Sequence, residues 1–173
     1  MTATALAAVG SNANENGTLL ISGTAVTASG TSVDFTGIPS WAKRITVVFN
    51  SVSTNGSSIP QIQLGTSAGV ATTGYTGYAA AINSGTGQLS TTAGHIISNG
   101  SNSTIASSGN FVFMNISGNN WVGSGLILYT AAAGAMAMSA SLVGLSGTLD
   151  RVRVTTQNGT DAFDAGTINI FWE

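Results

Sequence analysis

Hydrophobic residues recur at every second position in several short segments of this chain, which is the repeat of a β-strand with one buried face. Residues 45–49 place Ile45, Val47 and Phe49 on one face and Thr46 and Val48 on the other. No window carries a helical repeat with a charged solvent-facing side. The same alternation predicts further strands at 33–35, 61–64 (with both glutamines facing outward), 149–156 and 167–172.

Turn residues separate these segments. Ser117-Gly-Asn-Asn120 lies between two apolar segments, 111–116 and 121–130, and is the strongest hairpin signal in the chain. Between 67 and 110 the alternation gives way to Gly, Ser, Thr and Ala, which predicts a short helix or a long loop. Many short strands at intervals of roughly ten residues predict an all-β fold, an antiparallel β-sandwich of the jelly-roll kind.

The first 30 residues differ from the rest of the chain. They are rich in Gly, Ser, Thr and Asn, and we expect an extended N-terminal arm or a weak first strand ahead of a β-sandwich domain at 31–173. Their few bulky apolar side chains cannot offset the entropy of ordering such a segment, so the arm needs a partner surface. The candidate attachment residues are Leu6, Val9, Leu19, Leu20 and Ile21.

Charged residues are scarce. Only 6% of the 173 residues are Asp, Glu, Lys or Arg, against about 25% in a typical soluble domain. The segment from 45 to 149 contains none, and polarity comes instead from 22 Ser, 23 Thr and 14 Asn. Four cations provide no electrostatic surface for nucleic acid. Because an uncharged surface is cheap to desolvate, the composition predicts an assembly subunit.

The segment 126–145 is uncharged and about as long as a membrane span. Gly134 and Gly144 interrupt it, and its Ala, Ser and Thr residues weaken insertion into a bilayer. We therefore expect no membrane insertion.

Candidate catalytic groups are few. His95 is the single histidine, and a hydrolase would need it as a base with a carboxylate to orient it; a histidine in a loop or at a subunit contact is the simpler interpretation. Asp161 and Asp164 are the one close carboxylate pair. They suit glycan cleavage or cation binding, or turn capping after Asn158-Gly159, which we favour. We expect no catalytic residues, no metal site and no cofactor.

Two tyrosines and four cations complete the candidate sites. Tyr75 and Tyr78 are able either to stack on a sugar or to close over the core, and the sequence leaves both interpretations open. The cations form two pairs, at 43–44 and at 151 and 153, each beginning a β-branched segment with acidic residues nearby. The near balance of charge predicts cross-strand ion pairs at one end of the sandwich rather than a ligand site.

Three segments resemble a module that recurs in virion proteins of tailed bacteriophages: 33–50 (VDFTGIPSWAKRITVVFN), 61–65 (QIQLG) and 149–173 (LDRVRVTTQNGTDAFDAGTINIFWE). The resemblance covers roughly residues 33–173, and its specific parts lie at the two ends. It implies a β-rich virion domain of the kind often found at the carboxyl end of tail fibres or tail proteins. It implies no catalytic residues.

These observations favour a non-enzymatic bacteriophage structural protein that is located in the virion and assembles as a homotrimer. As a capsid decoration (cement) protein it would bind the major capsid protein through its arm. As a tail-fibre or tail-tip subunit it would bind other tail proteins and a host-surface receptor. The alternative from another class is a carbohydrate-binding or glycan-cleaving receptor protein that uses Tyr75, Tyr78, Asp161 and Asp164.

Overall fold

The computed structural model describes residues 19–82, 88–130 and 135–173, together with the backbone of residues 12–13. The described residues contain no helix, and so none that is long and apolar enough to cross a membrane. The predicted all-β, antiparallel sandwich is confirmed. The strands are β1 (Asn12–Ala13), β2 (Leu19–Ser22), β3 (Val26–Thr27), β4 (Ser32–Thr36), β5 (Arg44–Thr54), β6 (Pro60–Thr66), β7 (Gly69–Val70), β8 (Tyr75–Ile82), β9 (Leu89–Thr91), β10 (His95–Ile96), β11 (Ser107–Ser117), β12 (Asn120–Tyr129), β13 (Ala135–Gly144), β14 (Arg151–Thr156) and β15 (Phe163–Trp172).

These strands form two antiparallel sheets that pack together as the layers of the sandwich. The large sheet has ten described strands in the order β1-β2-β15-β5-β11-β12-β13-β8-β9, with β3 also paired to β15. The small sheet has five, in the order β10-β6-β14-β4, with β7 also paired to β6. Because β11, β12 and β13 follow one another as a meander within one sheet, the more specific jelly-roll arrangement is not confirmed.

The core lies between the sheets and follows the alternation seen in the sequence. The side chains of Ile45, Val47 and Phe49 in β5 are buried, as are those of Val152 and Val154 in β14. The strands expected at 33–35, 61–64, 149–156 and 167–172 correspond to β4, β6, β14 and β15. The hairpin expected at 117–120 joins β11 to β12. These predictions are confirmed.

The middle of the chain differs from the expected short helix or long loop over 67–110. Residues 75–82 form β8, which pairs with β13 from Tyr75 opposite Val143 to Ile82 opposite Met136. The inward positions of β8 include the small residues Gly77 and Ala79, both buried. The contrast between large buried and polar exposed residues that marks a strand in sequence is therefore absent from this segment.

The second half of the expected arm belongs to the large sheet of its own chain. Strands β2 and β3 both pair with β15, and Gly30 forms a bridge to Phe163. The prediction that this segment needs a partner surface in order to become ordered is therefore wrong for residues 19–30, because β15 of the same chain supplies its backbone hydrogen bonds. Of the candidate attachment residues, Leu19, Leu20 and Ile21 lie in β2, while Leu6 and Val9 lie outside the described residues.

Gln61 and Gln63 of β6 lie on the side of the small sheet opposite the core, as expected, but both are buried. The segment before β10 covers them. Gln63 Nε2 donates a hydrogen bond to the carbonyl oxygen of Ala93 at 2.9 Å, and Gly94 lies against the amide of Gln61. The expectation that these glutamines face solvent is wrong because this segment closes over them.

Candidate assembly interface

From Met136 to Leu142, strand β13 carries mostly large apolar residues on its outward face and small residues on its inward face. Met136, Met138 and Leu142 are 40%, 49% and 50% exposed. A sheet that faces water on one side ordinarily carries polar residues there. The inward positions between these residues are buried and carry Ala137, Ser139 and Ser141.

The same outward face continues across the neighbouring strands. The pairing register puts Met138 between Ala80 of β8 and Leu126 of β12, and Met136 between Ile82 and Leu128. All three methionines of the described residues stand on this face. The apolar band is the set of neighbouring outward-facing side chains on β8, β13, β12 and β11 that comprises Tyr78, Ala80, Ile82, Val112, Met114, Val122, Ser124, Leu126, Leu128, Met136, Met138, Ala140 and Leu142. The uncharged polar residues Thr76, Ser108 and Asn110 complete its rows at the outer strands.

A groove crosses the apolar band where its side chains are smallest. Ala140 lies directly opposite Ser124, and the larger side chains of the neighbouring rows rise on both sides. Tyr78 on β8 and Val112 on β11 stand at the two ends of this row. The groove comprises two adjoining hollows of about 610 and 520 Å³. The face is therefore ridged rather than flat, as a surface that interdigitates with another would be.

The apolar band contains no charged residue. At one margin Arg44 of β5 lies opposite Met114, and its guanidinium is held by Glu173, with 2.6 Å between Nη1 and Oε1. At the other margin Ser90 of β9 lies opposite Tyr78. Covering the band therefore moves no ion out of water, and its desolvation costs little compared with that of a charged surface.

His95 explains part of the small inward surface of the large sheet. Its imidazole lies between the sheets, edge-on to Tyr75 with ring centroids 4.8 Å apart, and 4.6 Å from the ring centroid of Phe113. Its Nδ1 forms a hydrogen bond with the hydroxyl oxygen of Ser141. Gly77 lies directly opposite Ser141 and leaves room for it. The cluster fills the space that small residues on β8 and β13 leave open.

The environment of His95 is that of a neutral core residue. The side chain is fully buried, and burial lowers the pKa of His95 to about 3. No hydrogen bond joins its Nε2 to the described residues, and no carboxylate orients the ring. The expected loop or subunit-contact position is therefore wrong: His95 stands in β10 inside the sandwich, where a substrate does not reach it.

Tyr75 and Tyr78 lie on opposite faces of β8, because they are an odd number of residues apart in one strand. Tyr75 is 2% exposed. Its hydroxyl accepts a hydrogen bond from Leu64 N at 2.9 Å and donates one to Ala71 O at 3.0 Å, and burial raises the pKa of Tyr75 to about 12. Tyr75 is thus a core residue, and its ring is not available to stack on a sugar. Tyr78 is 52% exposed and belongs to the apolar band.

Asp161 and Asp164 serve different contacts. Asp161 Oδ2 accepts a hydrogen bond from Ser58 N at 2.8 Å, and Asn158 Nδ2 donates to Asp161 Oδ1 at 2.7 Å. These two bonds hold the pKa of Asp161 below its usual value, and the bond from Asn158 has the larger effect. Asp164 accepts a hydrogen bond from the hydroxyl of Ser53. The predicted Asx capping of this turn is made by Asn158, whose Oδ1 accepts hydrogen bonds from Thr160 N and Asp161 N. Asp161 instead joins this turn to Ser58, and the capping prediction is wrong for Asp164, which ties β15 to β5. The described residues bring no three His, Cys, Asp or Glu side chains together as a metal site.

The predicted cross-strand ion pairing is present. Arg153 lies directly opposite Asp34 across the β14–β4 pair, and its Nε and Nη2 reach the two carboxylate oxygens at 2.6 and 2.7 Å. Hydrogen bonding to Asp34 raises the pKa of Arg153. Arg151 instead reaches its sequence neighbour Asp150, at 3.4 Å. These two pairs lie at the small sheet and therefore away from the apolar band, whereas Arg44 and Glu173 border it.

Comparisons with protein-family models, with curated proteins and with solved structures find no match to this chain. The candidate site therefore depends on the geometry of the chain itself. In the sequence, the signal for this face is the alternation of Ala and Met in 135–138. The same set of alternate positions as Met136 and Met138 continues with Ala140 and Leu142. That alternation marks a strand with one large-residue face, but it does not tell which face is inside.

Proposed function

We propose that this chain is a non-enzymatic structural subunit of a bacteriophage virion, in which it decorates or stabilises the outside of the capsid. The observation that carries the assembly role is the apolar band, an uncharged face of large side chains left uncovered on a single chain. Apolar patches near the upper end of what a single chain exposes are often functional contact surfaces.

The energetics favour covering this face. Burying a half-exposed large apolar side chain contributes roughly 1 kcal/mol, so the eight largest in the band together contribute on the order of 10 kcal/mol. Association costs about 4–15 kcal/mol in lost translational and rotational freedom. The gain is thus of the size that a stable assembly requires, and the band itself, which contains no charged residue, adds little opposing desolvation.

The virion placement is supported by the resemblance of segments 33–50, 61–65 and 149–173 to tailed-phage virion modules. In the fold these segments become neighbours: β14 lies between β4 and β6 in the small sheet, and β15 pairs with β5 in the large one. The resemblance therefore maps to one continuous part of the sandwich, and the apolar band lies outside it. Attachment to the particle through the residues ahead of β1, which include Leu6 and Val9, remains part of the proposal.

Counting copies per particle tests the function. Purified particles of the phage that encodes the chain are digested, and the chain is quantified by mass spectrometry against isotope-labelled peptides, with the major capsid protein as the internal reference. A decoration protein is present in hundreds of copies. A count of a few to tens supports the tail-fibre or tail-tip alternative instead, and absence from the particle contradicts the virion proposal.

Attachment is tested separately on particles depleted of the chain. Full-length protein should rebind, and a variant lacking residues 2–11 should fold but not rebind. A variant lacking residues 19–27 is not a suitable truncation, because β2 and β3 form part of the large sheet. If the variant that lacks residues 2–11 still rebinds to the particles at full occupancy, attachment lies on the sandwich itself.

A further inference from the structure

We infer that the apolar band is covered by two further copies of this chain, so that three bands enclose a triangular apolar core around a threefold axis. This inference rests on the proposed function as an assembly subunit, and it names the surface and the partner. Its physical basis is the width of the band, its side-chain sizes and its lack of charge.

The width of the band fits a triangular core. The four strands of the band are flanked in the same sheet by β5 on one side and β9 on the other. Spaced about 4.8 Å apart, the four make a face about 19 Å wide, and the centre of an equilateral triangle of that side lies about 5.5 Å from each side. Sheets that pack face to face lie about 10 Å apart, so each contributes about 5 Å of side chain. The distance from each four-stranded face to the threefold axis therefore matches the depth of the side chains that the face contributes.

The rows of the band alternate in the way that such a core needs. In one row the middle strands carry Met138 and Leu126, and the outer strands carry Ala80 on β8 and Asn110 on β11. In the next row the middle strands carry Ala140 and Ser124, and the large Tyr78 and Val112 stand on the outer strands. Large and small residues that alternate between layers interdigitate without voids.

The chemistry of the band favours a second copy of this chain over a partner with a charged contact surface. A partner with charged side chains on its contact surface would bury them without counter-ions, because the band contains none. A second copy presents the same uncharged surface. The methionines add adaptable contacts, since their unbranched side chains fill irregular gaps.

The area of the band also fits a contact between copies. Its projection is on the order of 500 Å², and side-chain relief raises the accessible area toward the roughly 800 Å² per partner of a stable interface. That projection already lies near the upper end of the largest apolar patch on a typical monomer, roughly 300–600 Å².

Light scattering coupled to size exclusion tests the inference on the full-length chain. Each copy has a mass of 17.2 kDa, so three copies give 3 × 17.2, about 52 kDa. We expect wild-type protein at micromolar concentration to elute at that mass. Leu126→Glu and Met138→Glu should each shift it to the mass of one copy. Thr36→Glu, the matched control, adds the same charge at an exposed position on the small sheet and should leave the trimer unchanged.

Leu126 and Met138 are half-exposed on the single chain, so the variants should keep the wild-type circular dichroism spectrum. A wild-type monomer, a wild-type dimer of two copies, or a trimer that survives both substitutions would overturn the inference. The copy count on particles is independent of this result: a virion protein that is monomeric in solution contradicts the inference alone, and a trimer that is absent from particles contradicts the proposed function alone.

Discussion

Phe113 of β11 lies directly opposite Gly123 of β12, and its ring occupies the space where a side chain at position 123 would stand. A Cβ on Gly123 would lie 2.7 Å from Phe113 Cδ1. Phe111 and Gly125 form the same arrangement two residues along, with 2.5 Å between the Cβ position and Phe111 Cδ2. The two glycines let aromatic rings lie across the inner face of the sheet, which shields a backbone that would otherwise be bare.

Adding a methyl group under these rings should therefore destabilise the fold. For Gly123→Ala we expect a loss of about 1–3 kcal/mol in the free energy of unfolding, because the rings must leave their rotamers. Urea denaturation measures it. Gly147→Ala is the control, since its nearest neighbour would be Thr66 Cγ2 at 3.5 Å, an ordinary contact. Equal stability of the two variants would mean that the rings move without cost.

Acidification should weaken the fold through His95. The unfolded state takes up a proton near pH 6.5, whereas the folded state holds His95 neutral down to about pH 3. Stability is therefore fully present above pH 6.5 and declines as the pH falls toward 3, by about 2 kcal/mol between pH 7 and pH 5. Urea midpoints at several pH values measure this loss.

His95→Leu serves as the control for this pH dependence. It should be less stable at pH 7, because it leaves the hydroxyl of Ser141 without its partner. Its stability should change little between pH 7 and pH 5, since the titrating group is gone. A wild-type protein that is equally stable at both pH values would show that His95 titrates normally in the fold.

The ion pair between Asp34 and Arg153 should contribute little despite its two hydrogen bonds. Their side chains are 39% and 36% exposed, and exposed pairs are worth under about 1 kcal/mol. Asp34→Asn keeps the shape and removes the charge, so chemical denaturation should report a loss below that value. A loss of roughly 3 kcal/mol or more, the size expected for a broken buried pair, would contradict this account.

Salt should have little effect on the assembly. Contacts through the apolar band involve no charges, so screening has nothing to weaken. We expect the dissociation constant of the trimer, measured by sedimentation equilibrium, to change by less than about threefold between about 0.05 and 0.5 M NaCl. Dissociation on adding salt would point to Lys43, Arg44, Arg151 and Arg153 as the contacts.

The sequence predicts strands well where large buried residues alternate with polar exposed ones, as in β5 and β14. It fails for β8, because Gly77 and Ala79 face inward and Tyr78 faces outward, so the size contrast is reversed. For the same reason, the sequence does not predict that the large residues of β13 face outward in the apolar band. Burial depends on which face meets the second sheet, and that information lies in long-range pairing rather than in local periodicity.

The predictions for residues 19–30 and for His95 are wrong for related reasons. Composition alone describes 19–30 as too polar to become ordered, whereas pairing with β15 supplies hydrogen bonds that no local count of apolar residues includes. A lone histidine in Ala93-Gly-His-Ile-Ile97 gives no sign of burial. Its place follows from the aromatic rings of Tyr75, Phe111 and Phe113, which distant parts of the chain contribute.

The most direct test of the central claim, that the apolar band is covered in the assembled protein, is the rate of methionine oxidation. Met114, Met136 and Met138 are 55%, 40% and 49% exposed on the single chain, and hydrogen peroxide converts accessible methionine to its sulfoxide. Peptide mass spectrometry follows each site in wild type, Leu126→Glu and Thr36→Glu. We predict slow oxidation of Met136 and Met138 in wild type and Thr36→Glu, and fast oxidation in Leu126→Glu. Equally fast oxidation in all three proteins would contradict the claim, because the band would then be open to solvent.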